Sequence, residues 1–483
     1  MPIGQVQVPF PTSSQPGIRS AESGGRIING YVEPLSEGAP NPTIWRRAPG
    51  LRNFGTTTRT GFRGAMEVQG TLYTAFANNL VSFTSAGGAG TGVGAAGGFS
   101  GTAKGFFARN NKSPTPDMVF VDPEGTQILF TGAGTFTSPI DTDLPAPNSV
   151  TSIDGFFVFT IGDGRVFASD LNAPTINPLS FATAEAKPDG LTRALPWAGN
   201  LYLFGPATTE VWQNAGTTPF PFARSLVINR GIAGPYCVAG VEDNFSRALC
   251  WVADDNTVVR LNGYTPEKIS PPDLDGLIED VSDKRQLEMS VYMSRGHAFL
   301  LLSSLTWSWV FDLNNDRWAE RQSYLNSRSR IVGGIYAFNK WLCGDLLSGN
   351  IQEVTDQVHT EVGQPFRWRL ESGAVENFPV GARVGRFDCE FVTGVGVATG
   401  TDPIQTDPVV EISWSDDGGQ NYYSPIRRKL GRQSRTRELV SLIACTGRSG
   451  WTARRWRLDI SDPVHVGFMA AYQNVSPKVS DIG

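Results

Sequence analysis

The chain has 483 residues with 54 glycines, 32 prolines and a formal net charge of −5 from 41 basic and 46 acidic side chains. That length exceeds what one hydrophobic core fills, so several domains or one large repeat domain are expected. The near balance of charge argues against wholesale wrapping of nucleic acid. Five scattered cysteines (Cys237, Cys250, Cys343, Cys389, Cys445), none in a C-x-x-C spacing, indicate neither a disulfide framework nor a zinc site.

Residues 1–60 read as an extended N-terminal leader. Pro9, Pro11, Pro16, Pro34, Pro40, Pro42 and Pro49 keep resetting the backbone, so a segment of this kind either stays loose or lies along another surface. The start Met-Pro-Ile-Gly-Gln-Val carries no basic, apolar signal segment. No later run reaches the ~18 apolar residues of a membrane span, so no membrane insertion is expected.

Residues 61–357 carry a loose repeat. Leu72-Tyr73, Val119-Phe120, Phe156 to Phe159, Leu201 to Phe204, Leu249 to Val252, Phe299 to Leu302 and Trp341-Leu342 are apolar strands, their starts separated by 47, 37, 45, 48, 50 and 42 residues. Propeller blades recur at about 40–50 residues, and each sheet needs neighbours to bury its faces. The expected fold is therefore all-β, a β-propeller of six or seven blades. Helical periodicity is nearly absent.

Residues 86–105 hold nine glycines in twenty and read as a flexible surface loop or insertion between blades. Gly92-Val-Gly-Ala-Ala-Gly97 is a literal G-x-G-x-x-G, but further glycines and Pro114 and Pro116 stand where the dinucleotide fingerprint needs a helix. No cofactor is expected there. Phe156–Ile161 and Arg165–Ser169, joined through Gly162-Asp-Gly164, predict a hairpin, as do Trp307–Asp312 and Arg317-Trp318 around Asn314-Asn-Asp316.

Gly199 to Trp212 predicts a third hairpin, turning at Gly205-Pro206. The segment Arg230-Gly231-Ile232-Ala233-Gly234-Pro-Tyr236-Cys237 that follows is irregular. It needs either positive φ at its glycines or a fixed bend at the proline. Together the two pieces resemble the tail accessory proteins of short-tailed bacteriophages, also called packaged-DNA stabilisation or tail-nozzle proteins. That family carries a Thr-x-Glu strand end and then a Lys/Arg-Gly-Ile-Ala-Gly-x-Tyr-Cys segment. The Arg46-Arg47-Ala48-Pro49-Gly50-Leu51 and Phe62-Arg63-Gly64 runs resemble its Pro-Gly-[Ile/Leu] and Arg-Gly elements, and the likeness runs through most of the chain. The glycine-rich loop is the main departure.

Leu274, Leu277, Ile278 and Val281 recur at helical spacing and predict one short helix over 272–281. Residues 364–475 then alternate polar and apolar in Arg367–Leu370, Arg386–Val392, Val409–Trp414 and Trp456–Ile460, which predicts a separate C-terminal β-sandwich or closing sheet, with 476–483 a short tail. Ser415, Asp417, Gly419 and Tyr422 match an Asp-box, a turn staple wherever it occurs.

Between residues 427 and 457 lie ten cations (Arg427, Arg428, Lys429, Arg432, Arg435, Arg437, Arg448, Arg454, Arg455, Arg457) and one acid, Glu438. This reads either as a surface for an acidic partner or for DNA, or as a solvated hairpin whose arginines pair with acids distant in sequence. Three histidines (His297, His359, His465) without ligand spacing, no G-x-S-x-G and no P-loop leave no catalytic or metal constellation in view, so no enzyme is expected.

The resemblance implies a structural virion component made in the host cytoplasm. It would be a homo-hexameric nozzle ring below the portal and the head-to-tail adaptor, lining the DNA channel, retaining packaged DNA and docking tailspikes or fibres and a plug or needle. The alternative from the residues is a glycan-active, sialidase-like propeller, which rests on the Asp-box and the blade repeat.

Overall fold

Apolar strands punctuated by turn glycines build seven four-stranded blades in the computed structural model, which describes residues 4–94, 98–131, 135–184, 187, 189–375, 382–443 and 454–477. Blade 1 comprises Phe62–Val68, Thr71–Phe76, Asn79–Phe83 and Thr91–Val93, and blade 2 comprises Phe106–Arg109, Met118–Val121, Gln127–Phe130 and Phe136–Thr137. Blades 3, 4 and 5 run from Ser149–Ile153 to Ile176–Thr183, from Arg193–Trp197 to Phe222–Ile228, and from Val238–Ala239 to Thr265–Lys268. Blade 6 is Glu288–Ser294, His297–Ser303, Ser308–Asp312 and Arg317–Glu320. Every apolar anchor of the sequence repeat falls in the second strand of a blade. Such strands are covered on both faces by neighbouring blades, which is why they are almost uninterruptedly apolar: Phe157, Val158 and Phe159 are all fully buried.

The ring closes on itself through a strand far away in sequence. Ile331–Ala337, Lys340–Asp345 and Ile351–Thr355 are the first three strands of blade 7, and Gly50–Thr56 completes it, with Leu51 opposite Val354 and Gly50 opposite Thr355. The inner strand of blade 7 packs against that of blade 1. The core lies between blades: Phe54, Leu342 and Ile351 meet Leu72, Phe76 and Phe83 across the closure, and Phe157 and Phe159 meet Val119 and Val121 between blades 2 and 3. One helix, Pro272–Glu279, bridges blades 5 and 6 and buries Leu274 and Ile278.

The leader is thus built in. Arg26–Ile28 joins the outer strand of blade 6 in parallel, and the same sheet continues through Trp368–Glu371, Arg455–Ile460, Val409–Ser415 and Ile426–Lys429. Gly30–Pro34 and Thr43–Arg47 join the facing sheet with Gly467–Pro477, Ala382–Phe391 and Val440–Ile443, and Gly4–Gln7 pairs with Gly467–Pro477. The sandwich is therefore not separate from the propeller but grows out of blade 6. Prolines that bar a long element leave room for several short strands, and those strands find edges to complete. Between the sheets lie Trp368, Trp456, Phe387 and Phe468, the Phe387 and Trp456 rings stacked at 3.7 Å.

The glycine-rich stretch corrects its sequence reading in the same way. Thr91–Val93 is the outer strand of blade 1 and Gly88–Ala89 runs parallel to Gly50–Thr56, so those residues are built into sheets, while residues 98–105 connect blade 1 to blade 2 with Phe99 buried against Phe107 and Phe120. Glycines permit the approach. A Cβ on Gly87 would lie 2.3 Å from the Phe54 carbonyl oxygen, and one on Gly90 2.5 Å from Val81.

Removal of residues 1–56 leaves blade 7 with a bare edge and both sandwich sheets incomplete. Cooperative melting should be lost, and the amides of Ile351–Thr355 should lose their hydrogen-exchange protection. Protection at the full-length level would show that blade 7 is complete without Gly50–Thr56.

Candidate functional site

The seven inner strands surround a channel whose cavity is about 480 Å³, lined by Arg63, Lys104, Arg109 and Arg193 against Glu242, Asp243 and Glu288. At the end where these strands begin, side chains meet across the axis. Lys104, preceding blade 2, pairs with Glu288 of blade 6, and the Tyr236 hydroxyl before blade 5 donates to the Lys104 carbonyl at 2.7 Å. Arg193 of blade 4 donates to the Pro235 carbonyl at 2.8 Å and lies 4.4 Å over the Phe106 ring. Glu288 also accepts from Arg328 at 3.3 Å and from the Gly333 amide at 2.7 Å, tying blade 7 into the same bridge.

Burial opposes ionisation of Glu288, but Lys104 and Arg328 outweigh it and hold the carboxyl below the usual glutamate range. Burial lowers Arg193 to about 10 and raises Glu242, whose oxygens accept from the Gly240 and Val291 amides. Cations and carboxylates are interleaved here, so the channel has no single-sign field to draw in phosphate.

The irregular segment forms the connection from blade 4 to blade 5. Arg230 pairs with Asp255, the Gly231 amide donates to Asp254 Oδ1 at 3.1 Å, the buried Trp251 indole donates to the Gly231 carbonyl, and Ala233 donates to Val252 at 2.9 Å. Ile232 is buried, Tyr236 helps close the channel, and the buried Cys237 thiol lies 3.7 Å from the Lys284 and Leu287 carbonyls, with burial pushing its pKa up to about 12. Of the two alternatives for this segment, positive φ at the glycines is not the one adopted. Neither Gly231 nor Gly234 is among the positive-φ residues. A Cβ on Gly231 would lie 2.2 Å from the Pro206 oxygen, and one on Gly234 2.5 Å from the Lys284 oxygen, so these glycines are required by close backbone approach.

The other family-like runs are junctions too. Arg63 is fully buried, paired with Asp122 at 2.9 Å, donating to the carbonyls of Ala77, Ser100, Gly101 and Ala103, and stacked on Phe99 and Phe120. Pro49 accepts from the buried Arg321 at 2.7 Å, and a Cβ on Gly50 would lie 2.4 Å from the Val358 oxygen.

The fold divides the basic stretch. Arg454 is buried against Asp416, Arg455 is buried and donates to the carbonyls of Ala21 and Ser23, and Arg457 pairs with Glu371 and covers the Tyr422 ring at 3.3 Å. Arg427 pairs with Glu411, Lys429 and Arg432 share Asp407, Arg435 pairs with Glu438, and Arg428 donates to the Ser441 carbonyl. Arg437 is exposed, and Arg448 lies outside the described residues. The Asp-box is a closed turn: Ser415 donates to Asp417 at 2.6 Å, the Gly419 amide to Ser415 at 2.9 Å and the Asn421 amide to Asp417 at 2.9 Å. Those bonds, led by the Asn421 amide, hold the Asp417 carboxyl at about 2.

Two constellations are brought together by the fold alone. Tyr292, Arg321 and Glu361 meet between blades 6 and 7, with the Tyr292 hydroxyl, Nε and Nη1 of Arg321 and one Glu361 oxygen lacking protein partners. They are 2%, 1% and 0% exposed, so this tyrosine, arginine and glutamate are packed away from any substrate. His359 and His465 come within 6.2 Å, ring to ring. No local pattern announces either set. Among the described residues no group of three or more His, Cys, Asp or Glu side chains is placed to hold a metal ion.

A family model described as bacteriophage P22 Gp10, β-propeller, matches residues 36–359. No curated protein matches the chain. Among solved structures, BamB from Moraxella catarrhalis is 13% identical over 72% of this chain and 97% of its own, with a TM-score of 0.38. A structure of U3-55K is 9% identical over 63% and 99%, with a TM-score of 0.41.

Close approach at Gly234 makes a definite prediction. Gly234→Val should cost about 1–3 kcal/mol through overpacking against the Lys284 carbonyl. Gly276→Ala, in the helix and with no atom within 4 Å of the added methyl, should stabilise by up to about 1 kcal/mol. Urea unfolding of both variants checks the contrast, and a Gly234→Val midpoint equal to wild type would show the junction to be slack.

Proposed function

The chain belongs to the phage stabilisation family of bacteriophage P22 Gp10 β-propellers, and from that premise we propose that it is a nozzle subunit of a phage tail. A structural β-propeller protein of the virion is what the family describes. The finer reading is a homo-hexameric ring below the portal and the head-to-tail adaptor that helps retain packaged DNA and docks tailspikes or fibres and a plug. One observation carries it: the propeller's own channel is bridged across its axis by Lys104, Glu288 and Tyr236. A duplex whose major groove alone is about 12 Å wide cannot thread that bridge. In this reading the DNA lumen lies between copies of the chain, and the protein serves as a wall rather than as a pore.

The exposed part of the basic stretch fits a docking role in this reading. Exposed Arg427, Lys429, Arg432, Arg435 and Arg437 and half-buried Arg428 stand together with three carboxylates, Glu411, Asp407 and Glu438, and so leave a net positive face. An acidic neighbour in the tail would complement it.

Imaging of the purified protein or of virion tails for a six-fold ring tests the assembly. Replacing Arg427, Lys429, Arg432 and Arg435 by Ser should leave the melting temperature within about 2 °C, because exposed sites carry little stability. Docking onto the upstream ring should then weaken at least tenfold and lose its salt dependence. Full tail assembly by this variant at physiological salt would remove the docking assignment.

A further inference from the structure

The propeller and the sandwich meet around a small polar cavity of about 20 Å³. Arg46 and Arg47 reach it from Thr43–Arg47, His465 from the turn before the last strand, Arg295 from the first turn of blade 6, and Asp356 and His359 from the chain leaving the third strand of blade 7. Tyr31, Ala48, Pro49 and Ser294 complete the wall.

Charge around this cavity is lopsided. Arg46 pairs with Glu33, and its Nη1 lies 3.2 Å from Nε2 of His465. Arg295 pairs with Asp356. Arg47 is 6% exposed and forms no ion pair with a carboxylate among the described residues. Its Nη1 donates to the Asp462 and Val464 carbonyls at 2.8 and 3.0 Å and its Nη2 to Ile460 at 2.6 Å, while its buried Nε–H has no partner. The Asp462 carboxylate lies near enough to favour the charged form of Arg47 without forming an ion pair with it, and it accepts from the Val409 amide at 2.8 Å. Three guanidinium groups thus face two histidine rings 6.2 Å apart, with a buried donor left over.

A buried donor calls for an acceptor, and a buried guanidinium that touches carbonyls but no carboxylate calls for further negative charge. A cavity of about 20 Å³ is on the scale of one water or one monatomic ion, so phosphate and carboxylic acids are too big. We propose that this joint binds a single monatomic anion, chloride, held by Arg47 and the neighbouring guanidinium groups, and that its binding is coupled to protonation of His359 and His465. The anion would neutralise the joint and lock the sandwich against the propeller.

The coupling has a definite sign. Burial first, then Arg47, His465 and Arg295, lowers His359 to about 4, while burial and Arg46 lower His465. Both rings are harder to protonate in the folded protein than in the unfolded chain, where histidines take up protons near 6.5. Stability is therefore fully present above about pH 6.5 and is lost as pH falls towards 4. An anion in the cavity offsets that loss by favouring the protonated rings, and protonation in turn tightens anion binding.

Melting temperatures in sodium chloride and in sodium gluconate at equal ionic strength test this with the intact chain. Chloride is expected to raise the midpoint by about 2–4 °C at pH 5 and by less at pH 8. His359→Asn, which cannot take up the proton, should shrink the pH 5 advantage while folding normally. A crystal soaked in bromide should show an anomalous peak between Arg47 and the two imidazoles. Equal melting in both salts at both pH values, or a cavity occupied by water alone in the bromide-soaked crystal, overturns the proposal.

Discussion

Completion of blade 7 by Gly50–Thr56 is the contact on which the rest of the molecule depends. A propeller blade left with three strands exposes an unpaired edge, and a ring of such sheets is stable when every interface between neighbours is filled. Here the filling strand comes from about 300 residues upstream of its partner Ile351–Thr355, so the loop-closure cost is met late and by many contacts at once. The surroundings hold the strand in place: Arg321 binds the Pro49 carbonyl, Gly50 presses against the Val358 and Thr360 carbonyls, and Phe54 and Phe83 join the core between blades 7 and 1.

The same strand binds the two halves of the protein. Residues just before it, Gly30–Pro34 and Thr43–Arg47, have already been committed to the sandwich, so the chain stitches sandwich and propeller together before the first blade begins. Blade 6 makes the second stitch by running directly into the sandwich through Arg26–Ile28. Both ties resist separation of the sandwich from the propeller. The cross-axis bridge of Lys104, Tyr236 and Glu288 has the same character, joining blades from opposite sides of the ring.

Arginine does much of this work. Arg47, Arg63 and Arg455 are each buried and donate to two or more backbone carbonyls, while the buried Arg321 holds the Pro49 carbonyl and the buried Arg454 holds Asp416. A planar fork with five donors caps several orphan carbonyls at once, which lysine cannot do. The arginine excess in the composition, 33 against eight lysines, is in this respect a record of junctions.

Local pattern determined much of the protein. The seven apolar anchors, the hairpin turning at Gly205-Pro206, the helix beginning at Pro272, the positions of the C-terminal strands and the Asp-box were all legible, because alternation, turn chemistry and helical spacing are properties of a few neighbouring residues, although the polar side chains expected on a wet face of Arg455–Ile460 are largely buried. The irregular match around Arg230–Cys237 carried the family. What sequence left open was decided by pairing over distance. Backbone hydrogen bonds look alike in every strand, so nothing in Gly50–Thr56 names Ile351–Thr355 as its partner, and nothing in a proline-rich leader says that it will complete two sheets. Glycines that read as turn-formers proved to be points of close approach at Gly231 and Gly234, since the colliding carbonyls of Pro206 and Lys284 arrive from elsewhere in the chain. The basic stretch was one charge run in sequence and became a buried set and an exposed set because Arg455–Ile460 lies inside its sheet while Ile426–Lys429 lies at the sheet's edge, and His359 met His465 because the sandwich closed over blade 7. Tertiary structure decided these points because burial, counter-charge and steric fit belong to pairs of segments, and a sequence shows its segments one at a time.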